Sequence, residues 1–225
     1  QPYNQEYMIM TQAPLMDRIH ITEDYDVPRV INGGWQLSAG HALERPLDLA
    51  DASRAFNRLI DMGFDTFDCA DIYTGVEDFF GGIIRERRKA GLRLPQIHTK
   101  FVPDLNDLAN VTPAYVENII TRSLRRLGVE RLDAVQFHWW DYSVPGMVDV
   151  AGELVRLQEK GLIRLISTTN FNAVELRKLI DAGIPVATNQ CQYSVLDRRP
   201  AMRLERLCRE TGVKLLCYGT VAGGF

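Results

Sequence analysis

One arrangement recurs along this chain and restricts its fold more than any other feature: an amphipathic helix, a glycine, then a short apolar run. It appears at Leu59–Gly63–Phe64, Leu127–Gly128–Val129, Lys160–Gly161–Leu162, Asp181–Gly183–Ile184 and Thr211–Gly212–Val213. Glycine takes the left-handed conformation that ends many helices, so each of these glycines reads as a helix C′ position. Helix starts are marked too. Thr112-Pro113 reads as an N-cap with proline at N1, and Asn172 with Glu175 as a variant of the capping box.

Between these marks lie β-prone runs at Val30–Gly34, Phe64–Asp68, Ile97–Lys100, Leu132–His138, Ile163–Thr169, Val186–Gln190 and Lys214–Tyr218. Most lack the polar alternation of a half-exposed sheet, as strands buried on both faces do. Strict alternation of strand and helix implies parallel strands joined by right-handed crossovers. The expected fold is α/β, a TIM-type (β/α)8 barrel of which about seven units are present. Single barrels of this kind typically take ~250 residues, and the chain has 225, its last residues following the seventh run directly. The expected organisation is therefore an extension over 1–17 and a C-terminally incomplete barrel over 18–225. Arg18–Pro28 is expected to form a hairpin closing the barrel floor. A doubly wound open sheet would call for Gly-x-Gly-x-x-Gly after the first strand, and Gly33-Gly34-Trp35-Gln36 does not match it.

A net charge of −3 gives no reason to expect nucleic acid or an anionic membrane as a partner. No apolar run approaches the ~20 residues needed to span a bilayer. Residues 1–17 lack the n-region and h-region of a secretory signal. The four cysteines, Cys69, Cys191, Cys208 and Cys217, form no C-x-x-C pair and read as buried apolar residues in a reducing compartment, expected to be the cytoplasm. A metal site is not expected, because of four histidines only His138 sits clearly at a strand end. His98, two residues before Lys100, is expected to pack inside the barrel.

Asp68, Tyr73, Lys100 and His138 fall where predicted strands give way to loops. In a parallel barrel those loops share one rim, so the four converge. A phenol is a weak acid at its ordinary pKa of ~10. A lysine ammonium at ~4 Å favours the phenolate by ~4 kcal/mol at an effective dielectric of ~20, less the cost of desolvating it. Asp68 is suited to anchoring the lysine and His138 to orienting a substrate oxygen. Each residue alone has an ordinary structural explanation; their joint placement is what points to proton transfer.

These residues sit in segments that resemble the aldo-keto reductase family. Asp68-Cys69-Ala70-Asp71-Ile72-Tyr73-Thr74-Gly75 resembles its Asp-x-Ala-x-x-Tyr-Gly segment, and Thr99-Lys100 its third-strand end. Gln136-Phe137-His138-Trp139-Trp140 resembles the fourth-strand histidine segment. Ile163-Arg164 with Thr169-Asn170-Phe171 resembles Ile-Arg followed by Ser-Asn-Phe, and Asn189-Gln190 the sixth-strand pair. The resemblance implies a reductase of aldehydes or ketones using NADP(H), with Tyr73 as proton donor assisted by Asp68, Lys100 and His138. It further implies a cofactor site formed by Trp35, Asp68, Thr169, Asn170, Gln190 and Tyr218, the last stacking on the nicotinamide. Thr169 stands where the family has serine, and Gly219-Thr220-Val221 where it has Ser-Pro-Leu. The alternative is a non-catalytic regulatory or binding protein on the same scaffold, or an inactive truncated form. Trp35, Phe101, Trp139 and Trp140 are expected to make an aromatic pocket for a small-molecule carbonyl substrate.

Overall fold

The computed structural model describes residues 17–39 and 48–221; the extension expected over 1–17 lies almost wholly outside them. The chain opens with an antiparallel hairpin, β1 (Arg18–Thr22) and β2 (Tyr25–Pro28). There follow β3 (Asn32–Gly33), α1 (Leu49–Asp61), β4 (Thr66–Asp68), α2 (Val76–Lys89), β5 (Gln96–Phe101), α3 (Pro113–Leu127) and β6 (Leu132–Phe137). The rest comprises α4 (Met147–Glu159), β7 (Ile163–Thr169), α5 (Ala173–Asp181), β8 (Val186–Gln192), α6 (Leu204–Thr211) and β9 (Lys214–Tyr218). Short 3-10 turns at Trp35–Leu37, Leu105–Asn110 and Arg199–Ala201 carry no strong sequence signal.

Strands β3 to β9 form one parallel sheet in strictly sequential order. A doubly wound sheet reverses its strand order at a switch point; this sheet has no reversal and curls in one direction, as the strands of a (β/α)8 barrel do. The first strand is shorter than expected. Only Asn32 and Gly33 pair, with Phe67 and Asp68, and Val30 is 52% exposed.

The chain's punctuation explains the elements. Thr112 accepts a hydrogen bond from the Tyr115 amide at 3.2 Å, Pro113 begins α3, and Gly128 ends it at φ 67°. Asn172 caps α5 by accepting from the Val174 and Glu175 amides. Gly63, Gly161, Gly183 and Gly212 also have positive φ. Gly81 has a different purpose: a Cβ there would lie 2.0 Å from the Arg126 carbonyl oxygen, so α2 and α3 meet backbone to backbone.

Two apolar layers result. The larger lies between sheet and helices, where Phe67 of β4 stacks on Phe80 of α2 with centroids 5.3 Å apart. Burying one such ring is worth ~1.5–3 kcal/mol. The smaller lies inside the curl, where Ile21, Tyr25 and Val27 of the hairpin pack on Ala134 and Leu165. The hairpin therefore covers the barrel floor. His98 is buried in that interior, with Nε2 3.0 Å from the Tyr25 hydroxyl.

Three further expectations fail. Phe101 and Trp139 belong to the outer core rather than the pocket, at 0% and 1% exposure. Each neighbours a residue aimed into the barrel, Lys100 or His138, and successive side chains of an extended segment point to opposite faces. Cys217 is exposed, unlike the other three cysteines, because β9 is an edge strand and no helix follows it among the described residues.

Candidate active site

Asp68 is the last residue of β4, Lys100 lies one residue from the end of β5, and His138 directly follows β6. Tyr73 is carried further out, on the loop between β4 and α2. All four line one cavity of about 990 Å³, together with Trp35, Thr169, Asn170, Gln190 and Tyr218. Every residue singled out in the sequence for proton transfer or cofactor contact therefore faces the same space.

The Lys100 ammonium is buried and donates to Asp68 Oδ2 at 2.6 Å and to the Cys69 carbonyl at 2.8 Å. It also lies 4.9 Å from the centre of the Tyr73 ring. Asp68 Oδ1 accepts from two amides, Gln136 Nε2 and Gln190 Nε2, each at 2.7 Å. The carboxylate thus receives three donors, which satisfy its oxygens and fix it in place.

Burial is the dominant influence on the Tyr73 phenol and raises it above the ordinary value; the nearby ammonium acts against this. The sign expected of Lys100 is present, but desolvation outweighs it. Tyr73 accordingly rests protonated, with the ammonium placed where it favours the phenolate.

His138 is lowered, chiefly by burial and further by Lys100, against a raising effect from its bond to Thr169. Its Nδ1 lies 3.2 Å from the Thr169 carbonyl, which only accepts, so Nδ1 carries the hydrogen. In the neutral ring Nε2 is then an acceptor, and only a protonated ring donates from it.

Thr169, Asn170, Gln190 and Tyr218 come from the neighbouring strands β7 to β9 or the residue just after β7. Thr169 ends β7 and donates from Oγ1 to Gln190 Oε1 at 3.4 Å. Asn170 sits at φ 61°, and its amide donates to the Gln190 carbonyl at 2.7 Å. The half-exposed Tyr218 donates its hydroxyl to Asn170 Oδ1 at 2.8 Å. Trp35 and Trp140 are each 48% exposed at the mouth, with Trp140 Nε1 held by the Pro103 carbonyl at 2.8 Å.

Sequence reasoning gave Gln136 no role and assigned Gln190 to the cofactor alone, yet both hold Asp68. Strand alternation contained that signal, since Gln136 lies two residues before His138 and shares its face.

The family model described as "Aldo/keto reductase family" matches residues 29–225. The chain is 28% identical over 208 residues to a chloroplastic pyridoxal reductase of Arabidopsis thaliana, covering 85% of this chain and 53% of that protein. It is 27% identical over 227 residues to an NADH-specific methylglyoxal reductase of Escherichia coli, covering 90% and 66%. A solved glycerol dehydrogenase from Gluconobacter oxydans superposes with a TM-score of 0.77 at 26% identity, covering 92% of this chain and 64% of that one. The chain thus spans about half to two thirds of the length of the curated relatives it matches. A sequential parallel sheet, the ordered motifs on its strand ends and a family match across nearly all described residues lead to one assignment: this chain belongs to the aldo/keto reductase family.

Proposed function

We propose that this protein is a nicotinamide-dependent oxidoreductase that reduces an aldehyde or ketone to an alcohol, reversibly, with NADP(H) as its cofactor. The observation that carries the proposal is the placement of Lys100, 2.6 Å from Asp68 and 4.9 Å from the Tyr73 ring centre, in the lining of the cavity. That arrangement supplies what carbonyl reduction asks of a protein, a proton for oxygen and an electrostatic setting for its transfer.

The residues present fit a nicotinamide. Thr169 offers a hydroxyl, Asn170 and Gln190 offer carboxamides matched to a primary amide, and Tyr218 offers a half-exposed aromatic ring. When bound, the cofactor supplies the hydride. Tyr73 gives its proton to the carbonyl oxygen, and Lys100 stabilises the phenolate left behind. Asp68, held by Gln136 and Gln190, fixes the ammonium. His138 orients the reacting oxygen: the neutral ring accepts from an alcohol hydroxyl, and the protonated ring donates to a carbonyl. Trp35 and Trp140 favour apolar or ring-containing substrates at the mouth.

The choice of coenzyme is less constrained by relatives. One, from Schizosaccharomyces pombe, is named for NADP(+), whereas the Escherichia coli reductase is named NADH-specific. The test is to follow loss of reduced-cofactor absorbance with a panel of aldehydes and ketones, supplying NADPH and NADH in turn. Turnover that Tyr73→Phe abolishes supports the proposal. No turnover by the full-length protein, or equal turnover by Tyr73→Phe, removes it.

A further inference from the structure

A loop carrying a reacting side chain has to be held, because a displacement of about 1 Å can cost about 10²-fold in rate. The loop between β4 and α2 is tied by main-chain bonds from Cys69 to the His98 carbonyl at 2.8 Å and from Tyr73 to the Ala70 carbonyl at 3.1 Å. Such bonds are available to almost any sequence. Asp71 adds something specific.

Its side chain is fully buried, at 0% exposure, two residues before Tyr73. Oδ1 accepts from the Val102 amide at 3.1 Å and Oδ2 from Arg122 Nη2 at 3.2 Å. Its main-chain carbonyl accepts from Arg126 Nη1 at 3.0 Å. Arg126 also donates to Glu77 Oε2 at 3.2 Å, while Thr99 donates to Glu77 Oε1 at 2.7 Å. Arg122 and Arg126 are one helical turn apart on α3 and grip the loop from one face. Gly81, one turn beyond Glu77 on α2, lets α3 approach closely enough for Arg126 to reach both partners.

We propose that Asp71 is a positioning residue for Tyr73: through Arg122, Arg126 and the Val102 amide it locks the β4–α2 loop onto β5 and α3, and its ionisation sets how firmly the phenol is held beside Lys100. The proposal rests on the reading of Tyr73 as proton donor given above. The titratable and charged groups around Asp71 are Glu77 and Asp78 of α2, Arg122 and Arg126 of α3, Lys100 of β5, Asp68 at the end of β4, and the neutral Cys69 thiol of its own loop. Burial first and Glu77 second push Asp71 up to about 7, against the Val102 amide and Arg122. Above neutrality two carboxylates, Asp71 and Glu77, therefore meet two guanidinium groups. Below it Asp71 is neutral and the grip of Arg122 is weakened.

The test uses full-length wild type, Asp71→Asn and Arg122→Gln, with 3-fluorotyrosine also placed at position 73 for fluorine NMR. Asp71→Asn is expected to lower kcat about tenfold or more while leaving KM and NADPH affinity within about twofold, the pattern of a lost transition-state interaction. Its pH profile should lack the wild-type inflection near neutrality. Arg122→Gln, a change at a half-exposed side chain, should move that inflection to higher pH because the stabilising cation is gone. The proposal is overturned if both variants retain wild-type kcat, pH profile and fluorine resonance. If Asp71→Asn does not fold, Arg122→Gln decides alone. Wild type without turnover would remove the reductase reading instead; the fluorine signal then decides this one, displaced in the variants if Asp71 positions the phenol and unmoved if it does not.

Discussion

The Lys100 ammonium lies 4.9 Å from the centre of the Tyr73 ring, with Asp68 holding it 2.6 Å away on another side. A cation held this close to a partly buried phenol leaves the resting proton on oxygen yet would stabilise the anion formed if the proton were given up.

Removing the hydroxyl should therefore remove the chemistry and leave binding intact. Tyr73→Phe is expected to lower kcat by about 10²–10⁴-fold, the usual worth of a general acid. Fluorescence titration with NADPH should give an affinity close to that of wild type. A variant that loses binding as strongly as turnover would assign Tyr73 to packing.

The Lys100–Asp68 pair should behave as a unit. Lys100→Met leaves a carboxylate that is only 15% exposed without its cation, and such a loss typically costs ~3–5 kcal/mol. The double variant Asp68→Asn, Lys100→Met should recover part of that loss in urea unfolding, because no unpaired charge remains. Strict additivity of the two single variants would show that the ion pair is not coupled.

The state of His138 should add an acid-side limb to the pH dependence of carbonyl reduction, apart from the inflection near neutrality assigned to Asp71. Its imidazole is lowered by burial, and with Nδ1 committed to Thr169 only the protonated ring donates from Nε2. kcat/KM for reduction is thus expected to gain from acidification below the ordinary imidazole range, with alcohol oxidation not sharing the gain. His138→Gln presents an amide donor at every pH and should remove that acid-side gain while leaving the inflection near neutrality in place. An unchanged profile in that variant would locate the titration elsewhere.

Beneath the site, His98 should make the fold acid-sensitive. Burial depresses it from 6.5 to about 4, so the folded state binds fewer protons than the unfolded chain. Its contribution to stability is full above pH 6.5 and is lost as pH falls through 4. The span corresponds to a loss on the order of 3 kcal/mol. Urea unfolding of wild type and His98→Gln at pH 7 and pH 4.5 should show the smaller drop in the variant. Comparing the two proteins isolates His98 from Asp71 and Asp133, whose raised values act in the opposite direction. Equal drops would refute the assignment.

Adjacent glycines of α2 should respond oppositely to alanine. At Gly81 the new Cβ would lie 2.0 Å from the Arg126 carbonyl, and such overpacking costs ~1–3 kcal/mol. At Gly82 the nearest atom is the end of the Arg85 side chain at 4.0 Å, so the ~0.5–1 kcal/mol helix preference for alanine should show as a raised Tm. Similar shifts at both positions would mean that α2 and α3 move apart without penalty.

What the amino-acid order determines by itself is everything governed by local periodicity and local stereochemistry. The glycines at positive φ, the caps at Thr112 and Asn172, and the alternation of strand and helix are properties of a few consecutive residues, so they are legible without coordinates. The rim location of Asp68, Lys100 and His138 follows from that alternation plus the rule that parallel strands share an end. The third dimension decides which side chain meets which. Phe101 and Trp139 belong to the core because each neighbours a residue aimed the other way, and the register of the strands in the sheet sets that direction, not hydrophobicity. Alternation places Gln136 on the face of His138, but that it and Gln190 meet on Asp68 across sequence distances of 68 and 122 residues is decided by the tertiary fold. The balance at Tyr73 is also tertiary, because desolvation depends on how much surrounding chain excludes water.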